Sequence, residues 1–262
     1  MSPQLRDDLG RQLQLAGPPQ RIVSLCPSQT ETLFELDLGE QIVGLTHYCI
    51  HPREQVAARV KVGGTKQLDF AAVERLAPEL IIAEKEENRR EDVERLSERW
   101  PVFVTDVGDF PSALRMIGTL GNLCDRTRQA EELSRQIATR WKMLRPLEQT
   151  VRVLYLIWRK PFMAAGTGTY IDSVLQHCRL HNTLSTPRYP EFKAQELQEL
   201  DPELVLLSSE PYPFRERHVV ELQALLPRAR IELVDGEMFS WYGARMLRAA
   251  DYLQEFIDRL AA

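Results

Sequence analysis

The sequence predicts an α/β protein of two lobes, each a parallel sheet flanked by helices, joined by one long backbone helix with a cleft between the lobes. Three observations carry that expectation. Short apolar, β-branched runs alternate with amphipathic segments, the grammar of buried parallel strands with covering helices. The alternation occurs twice, once before residue 122 and again after residue 148. Between the two lies a stretch with one apolar stripe at helical spacing. The expected organisation is therefore an N-terminal lobe over 1–122, a bridging helix over 123–147 and a C-terminal lobe over 148–262.

Taken in order, residues 21–26 (RIVSLC) form the first strand, which Pro27 ends. Ser28-Gln29-Thr30-Glu31 reads as a capping box that opens a helix running to Gly39. Residues 41–47 (QIVGLTH) are the second strand, 69–77 a helix, 79–84 (ELIIAE) a strand, 86–100 a charged helix and 101–106 (PVFVTD) a strand. In the second lobe, 151–158 (VRVLYLIW) is a strand and 169–178 a helix, with a glycine turn ahead of it. Residues 195–200 lead into strand 203–209, and 231–236 is the last strand. LAPELIIAEKE (76–86) echoes LDPELVLLSSE (200–210), and VFVTD (102–106) echoes IELVD (231–235). Two echoes at similar offsets favour lobes of like construction. In 113–146, Asp125 is placed to cap a helix reaching about Arg145, with Leu133, Ile137, Trp141 and Leu144 on one face. About 20 residues make a rod of about 30 Å.

The totals exclude several classes. A chain of 262 residues, 44% hydrophobic and 27% charged, has the balance of a soluble globular protein. A net charge of −5 leaves no excess of lysine and arginine to neutralise phosphates, which argues against nucleic acid as a partner. Cys26, Cys49, Cys124 and Cys178 form no C-x-x-C pair and read as reduced thiols. The first residues (MSPQLRDDLGRQLQLAGPPQ) hold no apolar core of a secretory signal, and no run is long enough to span a bilayer. The expectation is a cytoplasmic chain, or a periplasmic one if a leader was removed.

Two segments carry a family likeness. RIVSLCPSQTETLFELDLGEQIVGLT and VGGTKQLDFAAVERLAPELIIAEKEENRREDVERL resemble the class III, helical-backbone, periplasmic-binding-protein-like family. That family includes the vitamin B12-, haem- and ferric-siderophore-binding proteins of ABC importers. The resemblance is specific in the first lobe and looser in the second. It implies two α/β lobes bridged by one helix, with ligand held in the cleft. Importer members also present a surface glutamate on each lobe, seven residues before the proline of the helix–Pro–strand echo. Here those positions are Ala71 and Gln195, which puts permease docking in doubt; Glu74 and Glu196 lie nearby on other helix faces.

In open α/β sheets, ligands bind beyond the carboxyl ends of the strands. Following each strand to its end gives Pro27 and Ser28, then Tyr48, Cys49 and His51, then Glu87 and Asn88. The second lobe gives Trp158, Arg159 and Met163, then Phe239, Trp241, Tyr242 and Arg245. Aromatic rings suit a macrocycle or chelate, although each one alone reads equally well as core. Arg159, Lys160 and Arg245 are placed to meet propionate, phosphate or catecholate oxygens. In His47-Tyr48-Cys49-Ile50-His51, alternation on an extended chain points the two histidines and the cysteine to one face. His47 and His51 would then lie about 13 Å apart, so the three cannot share one ion. Pro52 favours an extended His51, which makes Cys49 with His51 the metal pair, completed by one or two ligands such as Glu87 or Glu237. Ligation of a metal already held in a chelate, pocket lining and a structural role all remain open for that pair.

The expectation is a non-enzymatic binding protein with a metal chelate, cobalamin or haem as ligand and no obligatory cofactor. One alternative is a cytosolic metal- or thiol-dependent enzyme using Cys49 and His51. Another is the substrate-binding component of an ABC importer, its leader removed.

Overall fold

The fold is described for residues 5–262 in a computed structural model. The chain forms two compact units. One contains the chain to Val107 with Ser112–Gln136 and Tyr242–Arg245; the other contains Gly108–Pro111, Ile137–Trp241 and Met246–Ala262.

The first unit is built on a five-stranded sheet in the order Val60–Lys61, Ile42–Leu45, Ile22–Ser24, Leu80–Glu84, Val102–Thr105. All four pairings are parallel. Leu80–Glu84 is buried at every position, as a continuous apolar run covered on both faces must be. Its core joins Val23, Leu25, Ile81, Ala83 and Val104 to Val73 and Leu96 of the covering helices. The outer edge at Val102–Thr105 is not left open, since Asp8 N–H donates to Val104 O and Asp106 N–H to the Asp8 carboxylate.

The second unit has the expected parallel strands, with two short antiparallel strands added at one edge. Val151–Trp158 pairs in parallel with Leu204–Ser208, which pairs in parallel with Arg230–Val234. On its other side, Val151–Trp158 takes Leu180–Asn182 in parallel along its first half and Phe162–Ala164 antiparallel near its end. Phe162–Ala164 pairs in turn with Glu191–Phe192, again antiparallel. An eight-residue strand is long enough to serve two short partners in succession. Helices Glu216–Leu225 and Met246–Ala261, absent from the sequence-based expectation, complete this unit.

The helix–Pro–strand echo is a shared turn. Ala77 and Asp201, each just before the proline, adopt φ of +42° and +41°. Both helices thus end in a left-handed residue that turns the chain into the buried strand. The stretch expected as one rod is a 16-residue helix, Thr127–Lys142, preceded by a separate helix, Phe110–Leu123. Asp125, at φ +56°, lies in the turn between them, and Leu133, Ile137 and Trp141 are buried as their spacing predicts.

Candidate functional site

In the first unit, strand Ile22–Ser24 leads into helix Pro27–Glu35, with Pro27 at its start and Cys26 as N-cap. Proline suits that position because its missing N–H would have no helical partner there. The helix therefore starts ahead of the expected capping box, and no side chain caps it. Ser28 is buried, and Glu31 accepts a hydrogen bond from Arg245 Nε at 2.9 Å. The segment Tyr242–Arg245 lies along this helix, with Ala244 N–H donating to Thr32 Oγ1 at 3.1 Å.

At the carboxyl ends of the central strands, Gln29 Nε2 donates to Thr105 Oγ1 at 2.6 Å and to Tyr242 Oη at 3.2 Å. The Cys26 thiol is 4.0 Å from the same phenol. Burial and the nearby Glu87 and Glu84 carboxylates push the Cys26 thiol up, and burial does the same to the Tyr242 phenol. Glu84, the last residue of its strand, accepts N–H bonds from Glu86 at 2.6 Å and Glu87 at 2.8 Å. Burial nevertheless raises its pKa to about 7, with Glu87 and Glu86 adding repulsion.

Asn88 is spent on the fold. Its Oδ1 accepts from Glu84 N–H at 2.8 Å, and its Nδ2 donates to Thr65 O at 3.1 Å and Leu25 O at 3.3 Å. Asn88→Ala strips three buried backbone groups of this partner, and urea unfolding is expected to show a loss of about 2 kcal/mol.

The alternation expected for residues 47–51 does not form. The strand ends at Leu45, and Cys49 N–H turns back to Thr46 O at 3.2 Å. That turn leaves His47, Tyr48 and Ile50 exposed and His51 half-buried while enclosing Cys49. The Cys49 sulfur lies 3.1 Å from Thr30 Oγ1 and 3.2 Å from Thr46 Oγ1, and burial raises its pKa. Cys49 and His51 therefore do not share a face. Among the described residues, no group of three or more His, Cys, Asp or Glu is arranged to hold a metal ion.

In the second unit, the ends of Val151–Trp158 and Leu204–Ser208 come together with the loop after Ser208. Trp158 stays 41% exposed and meets the Tyr212 ring edge-on at 5.6 Å. Arg159, expected to meet a ligand's oxygens, is engaged here by both carboxylate oxygens of Glu221 at 2.6 Å. Glu210 accepts from Ser240 Oγ and Trp241 Nε1, both at 2.8 Å, while burial raises its pKa. Phe239 is core, packed against Tyr155, Tyr252 and Phe256. The glycine turn leads into helix Tyr170–His177, which Thr169 caps, its Oγ1 accepting from Asp172 N–H at 3.2 Å.

Of the residues singled out in the sequence, Tyr48, Glu87 and Trp158 are exposed, whereas Pro27, His51, Arg159 and Met163 are half-buried. Ser28, Cys49, Asn88, Phe239, Trp241, Tyr242 and Arg245 are buried. Gln29 and His218 belong to these strand ends although neither stands in a strand-end loop. Their side chains reach there from the first turns of helices Pro27–Glu35 and Glu216–Leu225, a placement fixed only once each helix start is known.

Residues 22–221 match the protein family described as periplasmic binding protein. The vitamin B12-binding protein of Pectobacterium carotovorum subsp. carotovorum (strain PC1) is 23% identical over 256 residues, covering 93% of this chain and 89% of that protein. The periplasmic heme-binding protein RhuT from Roseiflexus sp. RS-1, in apo form, superposes with a TM-score of 0.80 at 20% identity, covering 93% of this chain and 99% of that one. The periplasmic vitamin B12 binding protein BtuF of Vibrio cholerae gives a TM-score of 0.76 at 19% identity, with 92% and 98% covered.

Proposed function

The chain belongs to the periplasmic binding protein family, and on that premise we propose that it is a non-enzymatic receptor for a metal chelate or cobalamin-like ring ligand. The observation that carries this reading is the exposure of one large ring at the strand ends of each unit, Tyr48 at 61% and Trp158 at 41%. Exposed aromatic faces forgo burial that the core would otherwise supply, and a flat chelate recovers it by stacking. Relatives named for binding vitamin B12 and heme support that ligand class. Glu87, exposed beside Tyr242 and Cys26, is the polar group of the first unit best placed to meet the ligand's rim.

Catalysis at Cys49 is disfavoured by its chemistry. A buried thiol with a raised pKa is a poor nucleophile, and two threonine hydroxyls already occupy its sulfur. The two exposed helix positions where importer relatives are expected to carry a docking glutamate hold Ala71 and Gln195. The nearest carboxylates are engaged, Glu74 by Arg99 at 2.6 Å and Glu196 by Lys193 N–H at 2.7 Å. Permease docking is therefore no part of this proposal. Among the described residues, no helix is long and apolar enough to cross a membrane.

The test is a titration with cyanocobalamin and with haemin, following tryptophan emission. Tyr48→Ala and Trp158→Ala are each expected to weaken the ring ligand that binds by about 10-fold or more, with unfolding midpoints unchanged. Unaltered affinity in both variants would remove these rings from the site.

A further inference from the structure

Helix Glu216–Leu225 projects two residues, three positions apart and so on one face, toward the end of strand Val151–Trp158. Glu221 grips Arg159 with both carboxylate oxygens at 2.6 Å. His218 reaches the neighbouring residue through a ring: its Nε2 is 3.3 Å from Tyr212 Oη, and Tyr212 meets Trp158 edge-on at 5.6 Å. Phe214 closes the set, 4.9 Å from Tyr212 and 5.5 Å from His218 between ring centroids. His218 is only 2% exposed, and Trp158 is the exposed member of the cluster.

Both ring nitrogens of His218 face hydrogen-bond donors. Arg215 N–H, at the cap of the helix, can only donate, and it lies 2.9 Å from His218 Nδ1. Arg217 Nε–H, equally a donor only, lies 3.2 Å from Nε2, and Tyr212 Oη lies 3.3 Å from the same nitrogen. His218 stands at the third position of the helix, where glutamate or glutamine closes a capping box, and here its Nδ1 does that work. A ring protonated on both nitrogens would set an N–H against each of these donors.

We propose that His218 is a positioning residue for ligand binding: its neutral imidazole caps the helix and props Tyr212 against Trp158, and protonation releases that support. The proposal rests on the reading of Trp158 as a ligand-facing ring. The charged groups facing His218 are Arg217 on its own helix, with Nε 3.2 Å from Nε2, Arg215 at the cap, Arg159 at the strand end and Glu221 one turn along. Three cations against one carboxylate oppose a further charge. Burial first, then Arg217 and Arg159, hold the imidazole below the usual histidine range. The support is therefore intact at neutral pH and lost on acidification.

Two measurements test this, one without ligand. Trp158 is followed by its indole N–H resonance, assigned by its absence in Trp158→Phe, between about pH 7.5 and about pH 5. Affinity for cyanocobalamin or haemin, whichever binds, is measured at the two extremes. Wild type is expected to show the resonance titrating in one step and affinity falling about 10-fold at the acid end. His218→Gln retains an acceptor for Arg215 N–H but cannot titrate, so both responses should flatten with affinity near the neutral wild-type value. His218→Leu, which has no acceptor, should bind about 10-fold more weakly at both pH values. A Trp158 resonance insensitive to pH and to both His218 variants overturns the proposal. If the resonance titrates as expected but Trp158→Ala leaves affinity unchanged, the support is real while its link to ligand binding is overturned, and with it the ligand-facing reading of Trp158.

Discussion

Glu84→Gln is expected to make the protein more stable than wild type by about 3 kcal/mol above pH 7, and roughly equal to it near pH 4.5. Glu84 is 3% exposed, and burial raises its pKa from 4.5 to about 7. The folded state thus holds this proton more tightly than the unfolded chain does. Its contribution is fully present below about pH 4.5 and is lost as pH rises through about 7, because the ionised carboxylate must then sit in the core. Glutamine keeps an oxygen for the Glu86 and Glu87 N–H groups and cannot ionise. Urea unfolding at several pH values checks this. The two stability curves should diverge between about pH 4.5 and about pH 7 and run parallel above; parallel curves throughout would show that Glu84 titrates normally.

Gly243→Ala is expected to cost about 4 kcal/mol, the sum of backbone strain and overpacking. Gly243 has φ of +76°, and a Cβ there would lie 2.0 Å from Thr32 Oγ1 and 3.2 Å from Met116 Cε. Thr32 cannot yield without loss, since its hydroxyl accepts from Ala244 N–H and donates to Ser28 O. The substitution therefore loosens the segment that carries Tyr242 to Gln29 and Arg245 to Glu31. Thermal unfolding provides the measurement, with a fall in midpoint of about 10 °C expected. A midpoint within a degree of wild type would mean that the segment is not packed as described.

The strands were legible because burial on both faces leaves one signature, an unbroken apolar run. VRVLYLIW and LIIAE lie where that signature puts them. The helix–Pro–strand echo was equally legible, because the same left-handed turn recurs at Ala77 and Asp201. The antiparallel strands Phe162–Ala164 and Glu191–Phe192 were not, being too short to show a period. At the candidate site, sequence could bring residues to the strand ends but could not say which way they face. Trp158 ends one apolar strand and Phe239 follows another; the first stays 41% exposed and the second is fully enclosed. Cys49 shows why: one turn bond to Thr46 replaces the extended chain on which its alternation with His51 depended. Nor does residue type reveal whether a cation is already engaged, as Arg159 is by Glu221 and Arg245 by Glu31.

A ring-shaped chelate is expected to bind, with Trp158 in contact with it. The most direct measurement is calorimetry of the wild-type protein and Trp158→Ala with cyanocobalamin and with haemin. One-to-one binding of at least one of them is expected, about micromolar or tighter, weakened about 10-fold or more by the substitution. No heat from either chelate up to about 1 mM, or affinity that Trp158→Ala leaves untouched, would contradict that expectation.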